Sequence, residues 1–343
     1  MTPSRSLRRL AGAAAFFACT LGGALAPTTA SALTFSDLVI FGDSLSDTGN
    51  LSAATGGAAP GAAQPYYQGR FSDGLVWTDY LAAGLGLSGA ATPSRLGGNN
   101  YAWAGARTGF VSPIDGIPGL LAQTMGAWGI DHAAADPNAL YVLVGGGNDI
   151  RDARSRVGGD DTTRQADAEA AVSNLKDSMT YLYNMGAKNI LISNLPDLGL
   201  SFEAVAKGLK AESSDATSRF NSLIGGLEAY GDGLGMDVDV LDMYGVMLDV
   251  RANPATYGVT NLNLPCAGFA FSDVYGPGTA TACNKSVFSD ALHPSTLAHQ
   301  VIADAAFRTL SVTPVPEPES LALLLGGLVV VVGVARRRRA QQH

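Results

Sequence analysis

The chain has 343 residues, 47% hydrophobic and 15% charged, with 22 Lys+Arg against 30 Asp+Glu. That composition can bury a substantial core and excludes broad disorder. The acidic balance gives no electrostatic basis for gripping nucleic acid, and no fixed-period repeat is present to build a solenoid.

In chain order, Arg5, Arg8 and Arg9 precede an uncharged stretch over 10–26, and Ala30-Ser31-Ala32 follows. This is the order of a secretory signal peptide, with cleavage expected after Ala32; a retained N-terminal anchor is the alternative. The apolar run 38–41, ending at Gly42, reads as a buried strand, as do 140–144 before Gly145 and 189–192 before Asn194. Residues 236–241, alternating Asp and Val, read as a fourth. Helical patterns cover 166–185 and 214–230, and Pro294-Ser295 opens a last helix through Leu310. Residues 52–64, rich in Gly and Ala, read as a flexible rim, and 258–289 as a long irregular lid or pocket wall. Strands alternating with helices predict a parallel sheet covered on both faces, with ligands bound beyond the carboxyl ends of its strands.

The chain closes with Val315-Pro316-Glu317-Pro318, an uncharged apolar run over 321–335, and Arg336 to Arg339. A helix of that length spans roughly 22 Å against a hydrocarbon core of about 30 Å, and the arginines would hold its end in the cytoplasm. The three-part pattern resembles a PEP-CTERM sorting signal; an ordinary tail anchor is the alternative. The resemblance implies recognition by an exosortase-type enzyme in a Gram-negative bacterium, membrane contact before processing, and removal of the tail. The expected division is therefore a signal peptide at 1–32, one domain at 33–312, and a sorting segment at 313–343. Without the two ends, 15 Lys+Arg stand against 28 Asp+Glu, a net charge near −13 that suits an exported protein. Cys19 would leave with the leader, and Cys266 and Cys283 remain as an even pair expected to form a disulfide. Closing such a loop is worth about 3 kcal/mol.

Five separated stretches carry chemistry: Gly42-Asp43-Ser44-Leu45-Ser46-Asp47-Thr48-Gly49-Asn50, Asn99 to Ala106, Gly145-Gly146-Gly147-Asn148-Asp149, Asn194-Leu195-Pro196-Asp197-Leu198-Gly199 and Asp290-Ala291-Leu292-His293-Pro294. A serine hydroxyl attacks only when a base takes its proton. Of His132, His293, His299 and His343, only His293 has an acid three residues upstream, placed to orient the imidazole. Taken singly, Ser44 reads as a helix cap, Gly105 as a packing glycine and Asn148 as a turn residue. Together they supply a nucleophile and oxyanion donors: the N–H groups of Ser44 and Gly105 and the amide of Asn148. A helix starting near Ser44 is expected to favour negative charge on the oxygen. The glycine triple lacks the following Lys-Ser/Thr of a phosphate loop, so nucleotide binding is disfavoured.

These stretches resemble the SGNH or GDSL lipase/esterase family, whose blocks match Ser44, Gly105, Asn148 and the Asp290/His293 pair. The resemblance implies a flavodoxin-like three-layer α/β/α sandwich with a parallel central sheet. It also implies Ser44 as nucleophile, His293 as base, Asp290 as its partner, and Ser44, Gly105 and Asn148 as the oxyanion hole. Ser46 stands where a Gly-x-Ser-x-Gly elbow requires glycine, which argues against the α/β-hydrolase fold. The expected activity is hydrolysis of acyl esters of lipid or acylated glycan, without cofactor or metal. Tyr66, Tyr67, Trp77 and Trp103 are expected near an open rim. The alternatives are an exopolysaccharide O-deacetylase of the same fold and a non-catalytic surface or matrix protein.

Overall fold

A computed structural model describes residues 35–61, 64–111, 115–155, 160–269 and 279–312. The expected leader at 1–32 and the sorting segment at 313–343 lie outside the described residues. Among the described residues no helix is long and apolar enough to cross a membrane.

Four short strands, β1 (Leu38–Gly42), β2 (Leu140–Val144), β3 (Asn189–Ser193) and β4 (Asp237–Leu241), pair in parallel in that order. Alternate residues feed opposite cores, as the two-residue period of a strand requires. Val39, Phe41, Tyr141, Leu143, Ile190 and Ile192 face one side, while Leu38, Ile40, Leu140, Val142, Val144 and Leu191 face the other. Burial on both faces is why these strands read as continuous apolar runs.

The helices, in chain order, are α1 (Asn50–Ala54), α2 (Trp77–Gly84), α3 (Gly129–Asp131), α4 (Gly147–Ser155), α5 (Asp161–Met185), α6 (Phe202–Ala206), α7 (Lys210–Leu234), α8 (Met243–Ala252) and α9 (Thr296–Thr309). A π-helical stretch, Ala122–Trp128, leads into α3. Helices α5 and α7 cover the first face through Leu175, Met179, Leu182, Phe220 and Ile224. Helices α2 and α9 cover the second through Trp77, Leu81, Ile302, Ala306 and Phe307. The result is the expected three-layer α/β/α sandwich around a parallel sheet.

An extended segment at 99–103 continues the sheet beyond β1. The Ile40 N–H donates to the Asn99 carbonyl at 3.0 Å, and the N–H groups of Tyr101 and Trp103 donate to Ile40 and Gly42 at 2.7 and 3.0 Å. Counting it by chain order gives 2-1-3-4-5, the flavodoxin-like arrangement, whose switch point lies between β1 and β2. Ser44 follows one of those strands and Asn148 the other.

The structure corrects several expectations. Helix α5 starts at Asp161, capped by the Asp160 carboxylate accepting from Thr163 N–H at 3.0 Å, and α7 extends beyond 214–230 at both ends. The stretch 52–64 is not all loop, because α1 runs through Ala54. The described part of 258–289 holds a second parallel pair, β5 (Asn261–Pro265) with β6 (Ser286–Phe288). Cys266 and Cys283 are joined there by a disulfide, their Cα atoms 4.8 Å apart.

Gly42 ends β1 under tight constraint. The buried Gln123 amide clamps it, with Oε1 accepting its N–H and Nε2 donating to its carbonyl, both at 2.9 Å. A Cβ on Gly42 would sit 2.8 Å from the Val144 carbonyl oxygen and 3.2 Å from Ser46 Cβ. Neither β2 nor the turn carrying Ser44 has room to give. Gly42→Ala is expected to destabilise the domain by about 1–3 kcal/mol in urea titration, the usual cost of overpacking.

Candidate active site

The nucleophile candidate sits on one tight turn after β1. The N–H groups of Ser46 and Asp47 both donate to the Asp43 carbonyl at 3.0 and 2.9 Å, and Leu45 N–H donates to the Asp43 carboxylate at 3.0 Å. No long helix starts at Ser44; α1 begins six residues later, with Gly49 at its cap. The expected helix-terminus field at the serine oxygen is therefore absent there, because the turn closes on Asp43 rather than propagating.

Asp47 ties this turn to the next loop. Its carboxylate accepts from the N–H groups of Gly49, Asn50 and Leu51 at 2.7, 2.6 and 3.2 Å, and from Ala104 N–H at 2.8 Å. Asn50 and Asn100 reinforce the link, the first donating to the Asn100 and Ala102 carbonyls and the second to Ser46. Gly105 therefore sits one residue beyond an anchored N–H. Its φ of +86° favours glycine, and a Cβ there would meet Ile117 Cδ1 at 2.8 Å.

Asp290 and His293 lie on the turn before α9. Asp290 Oδ1 accepts from the N–H groups of Leu292 and His293 at 2.8 and 2.6 Å, and Oδ2 lies 2.7 Å from His293 Nδ1. Tyr66 donates its hydroxyl to the same Oδ2 at 2.7 Å. Burial acts to raise the Asp290 carboxyl, but His293, the N–H bond and Tyr66 outweigh it and hold the group below its ordinary range. His293 Nε2 lies 2.9 Å from Ser44 Oγ, closing a continuous Asp290–His293–Ser44 chain. The Phe71 ring packs against the imidazole at 5.1 Å.

Asn148 begins the second turn's contribution at the start of α4. Its Nδ2 donates to the Ala106 carbonyl at 2.9 Å, while its Oδ1 accepts from Arg151 Nη1 at 3.2 Å. One Nδ2 hydrogen thus stays uncommitted among the described residues, as do the N–H groups of Ser44 and Gly105. Ser44, Asn148 and His293 line one cleft, with Leu45, Leu195, Pro196, Met247, Phe288 and Leu292 among its apolar walls. Gly105 is tied to this side of the cleft through its neighbour Ala106, whose carbonyl accepts from Asn148. Arg151 is itself gripped by Glu203 through two bonds of 3.1 and 2.7 Å, and Arg154 and Lys207 complete the cluster. Burial opposes ionisation of Glu203, yet these cations hold its carboxyl well below the ordinary range.

Other expectations resolve differently. Trp77 is fully buried, its indole N–H donating to Ser46 Oγ at 3.1 Å, so it is no part of a rim. His132 stacks on Trp128, its Nδ1 2.8 Å from the Trp128 carbonyl. Sequence reasoning placed Tyr66 at a rim and missed its bond to Asp290, which spans 224 residues and leaves no local signal. Arg151 was also missed, although its position three residues after Asn148 on a helix was a readable cue.

His299 lies buried in α9 with both ring nitrogens unpartnered among the described residues. Burial, with His293 nearby, pushes it down to about 3. The folded state thus holds it neutral while the unfolded chain protonates near 6.5, so its stabilising share is intact above 6.5 and falls away toward pH 3. His299→Leu is expected to flatten that loss, gaining about 2 kcal/mol over the parent at pH 5 relative to pH 7.5. Urea unfolding of both proteins at the two pH values checks it.

Residues 38–306 match the family described as GDSL-like Lipase/Acylhydrolase. Esterase EstA of Pseudomonas aeruginosa is 30% identical over 330 residues, covering 86% of this chain and 50% of that protein. A GDSL esterase/lipase of Arabidopsis thaliana is 28% identical over 316 residues, covering 78% and 85%. The phosphatidylcholine-sterol acyltransferase of Aeromonas hydrophila is 27% identical over 288 residues, covering 81% and 79%. Among solved structures, the native aryl esterase of M. Smegmatis aligns with a TM-score of 0.44 at 14% identity, over 80% of this chain and 98% of that one.

Proposed function

Because the chain belongs to the GDSL-like lipase/acylhydrolase family and is a serine ester hydrolase, we propose that Ser44, His293 and Asp290 are its catalytic set. The observation carrying this is the unbroken Asp290–His293–Ser44 chain, with contacts of 2.7 and 2.9 Å, opening on an apolar cleft. Ser44 Oγ attacks the acyl carbonyl and passes its proton to His293 Nε2. The imidazolium then protonates the departing alcohol, leaving an acyl-enzyme. Water attacks next, giving its proton to Nε2, and the acid leaves as Ser44 is restored. Asp290, held ionised, fixes the Nδ1–H tautomer and stabilises the imidazolium.

The oxyanion is received by the N–H groups of Ser44 and Gly105 and by the free Nδ2 hydrogen of Asn148. Arg151 acts as a positioning residue. An amide can flip, and donation from Arg151 to Oδ1 is what keeps Nδ2 turned away from it. The Glu203 grip fixes the guanidinium in turn.

The predominantly apolar walls support acyl esters over a bare polysaccharide acetyl group. Export directed by 1–32, and handling of 313–343 by an exosortase-type enzyme, belong to this proposal; mass spectrometry of the protein recovered from cell envelope and medium tests both ends.

Hydrolysis of p-nitrophenyl esters by the full chain is expected to fall at least about a thousandfold in Ser44→Ala. Retained turnover would overturn the assignment. Asn148→Ala is expected to lower kcat by about 10²–10³-fold, the usual effect of one lost oxyanion donor. Arg151→Met should lower kcat in the parent but add little on top of Asn148→Ala. Equal costs in both backgrounds would show that Arg151 does not act through Asn148.

A further inference from the structure

Among the described residues, the Asp290 carboxylate accepts two hydrogen bonds on each oxygen, which fills both. All but one come from its own turn. The exception is the Tyr66 hydroxyl, and it falls on Oδ2, the oxygen that also faces His293 Nδ1 at 2.7 Å. The phenol and the imidazole thus divide one oxygen between them.

The Tyr66 ring is seated for that contact. It packs edge-on against Phe269 at 5.1 Å and tilted against Phe71 at 5.4 Å, and Phe71 in turn packs on the His293 imidazole at 5.1 Å. Phe269 is buried, and its N–H donates to the carbonyl of the disulfide-bonded Cys266 at 3.2 Å. The loop that carries Tyr66 is fastened beyond the ring as well. Arg70 pairs with Asp79 of α2 through two bonds of 2.7 Å. Ser72 donates to the Pro294 carbonyl, and the Asp73 carboxylate accepts from Ser289 and from Thr296 N–H. Burial and the adjacent Asp290 charge push ionisation of the phenol upward, so it stays a donor.

We propose that Tyr66 is a positioning residue for ester hydrolysis: by sharing Oδ2 it sets how much of the Asp290 charge the imidazole receives. The proposal rests on the Ser44 hydrolase reading and extends it. A hydroxyl donated to Oδ2 draws off negative charge that would otherwise hold the imidazolium. His293 must be neutral to take the Ser44 proton, so the bond keeps it able to act as a base to lower pH. The other ionisable groups around the pair are Asp43 on the Ser44 turn, with Arg151 acting on it, and His299 of α9. Asp73 meets Ser289, next to Asp290. None of these bonds to the phenol oxygen, so their effects cancel between the parent and a variant that lacks it.

The test is the acid limb of kcat/KM for p-nitrophenyl butyrate, a substrate without an ionisable group, in the full chain and its Tyr66→Phe variant. Phenylalanine keeps the ring against Phe71 and Phe269 and removes only the oxygen. The limb is expected to move up by about half to one pH unit, or about three- to tenfold in kcat/KM on that limb, the scale of one hydrogen bond to a charged group. In proton NMR spectra the His293 Nδ1–H resonance should move downfield, because Oδ2 then serves a single donor. A packing role alone would leave both readouts at their parent positions in folded Tyr66→Phe, and either one unmoved overturns the proposal. Should Tyr66→Phe not fold, Tyr66→Met carries the same two readouts. A parent without Ser44-dependent turnover of any ester would sink the hydrolase reading and the role of Tyr66 in it, a result told apart from the first because the NMR shift would persist.

Discussion

A buried carboxylate holds together the side of the cleft from which Ser44 projects. Asp47 gathers four backbone N–H groups, three from its own turn and one from Ala104. Those of Gly49, Asn50 and Leu51 open α1, where first-turn N–H groups have no intrahelical partner, and that of Ala104 lies in irregular chain; buried N–H groups left unpaired are costly. The acid thereby supplies acceptors at the start of α1 and in the 99–106 loop, where no backbone carbonyl does. Two loops that carry Ser44 and Gly105 become one rigid body, with Asn50 and Asn100 filling the remaining donor and acceptor positions.

The parallel sheet supplies the second constraint. Parallel strands all present their carboxyl ends on one side, so the turns after β1 and β2 emerge next to each other at the switch point. Ser44 and Asn148 thus share a cleft although they are far apart in the chain. Glu203 extends the frame across that cleft: its side chain holds Arg151, while its backbone N–H donates to the Ala291 carbonyl at 2.8 Å, inside the Asp290–His293 turn. Helix α6 consequently touches both Arg151, beside Asn148, and the Asp290–His293 turn.

What was readable in the chain followed from apolar pattern. The strands were plain because both faces are buried, and the middles of α5 and α7 were plain because Leu175, Met179, Phe220 and Ile224 recur on one face. Their ends were not, because the first turn of α5 is polar and is held by pairing of Arg164 with Asp161 and Asp215 rather than by apolar side chains. The segment at 99–103 was hidden for a related reason, since its place in the sheet rests on backbone bonds to Ile40 and Gly42 rather than on an apolar run of its own. Trp77 was misread because an aromatic near a loop looks like a rim until the helix that buries it is known. The candidate site residues were proposed from their types and order, whereas Tyr66 and the Glu203 grip depend on contacts only the fold creates.

The Asp290–His293 pair is built locally, within three residues and on one turn, and the Ser44 turn is built just as locally on Asp43. The hydrogen bond that joins these two prefabricated halves is the 2.9 Å approach of His293 Nε2 to Ser44 Oγ, across 249 residues of sequence. On the proposed catalytic assignment, competence is therefore a gauge of tertiary docking. A loosening of α9 against the sheet by an ångström would silence the enzyme while leaving its helices, strands and spectroscopic signature in place, so turnover should fade before any optical sign of unfolding.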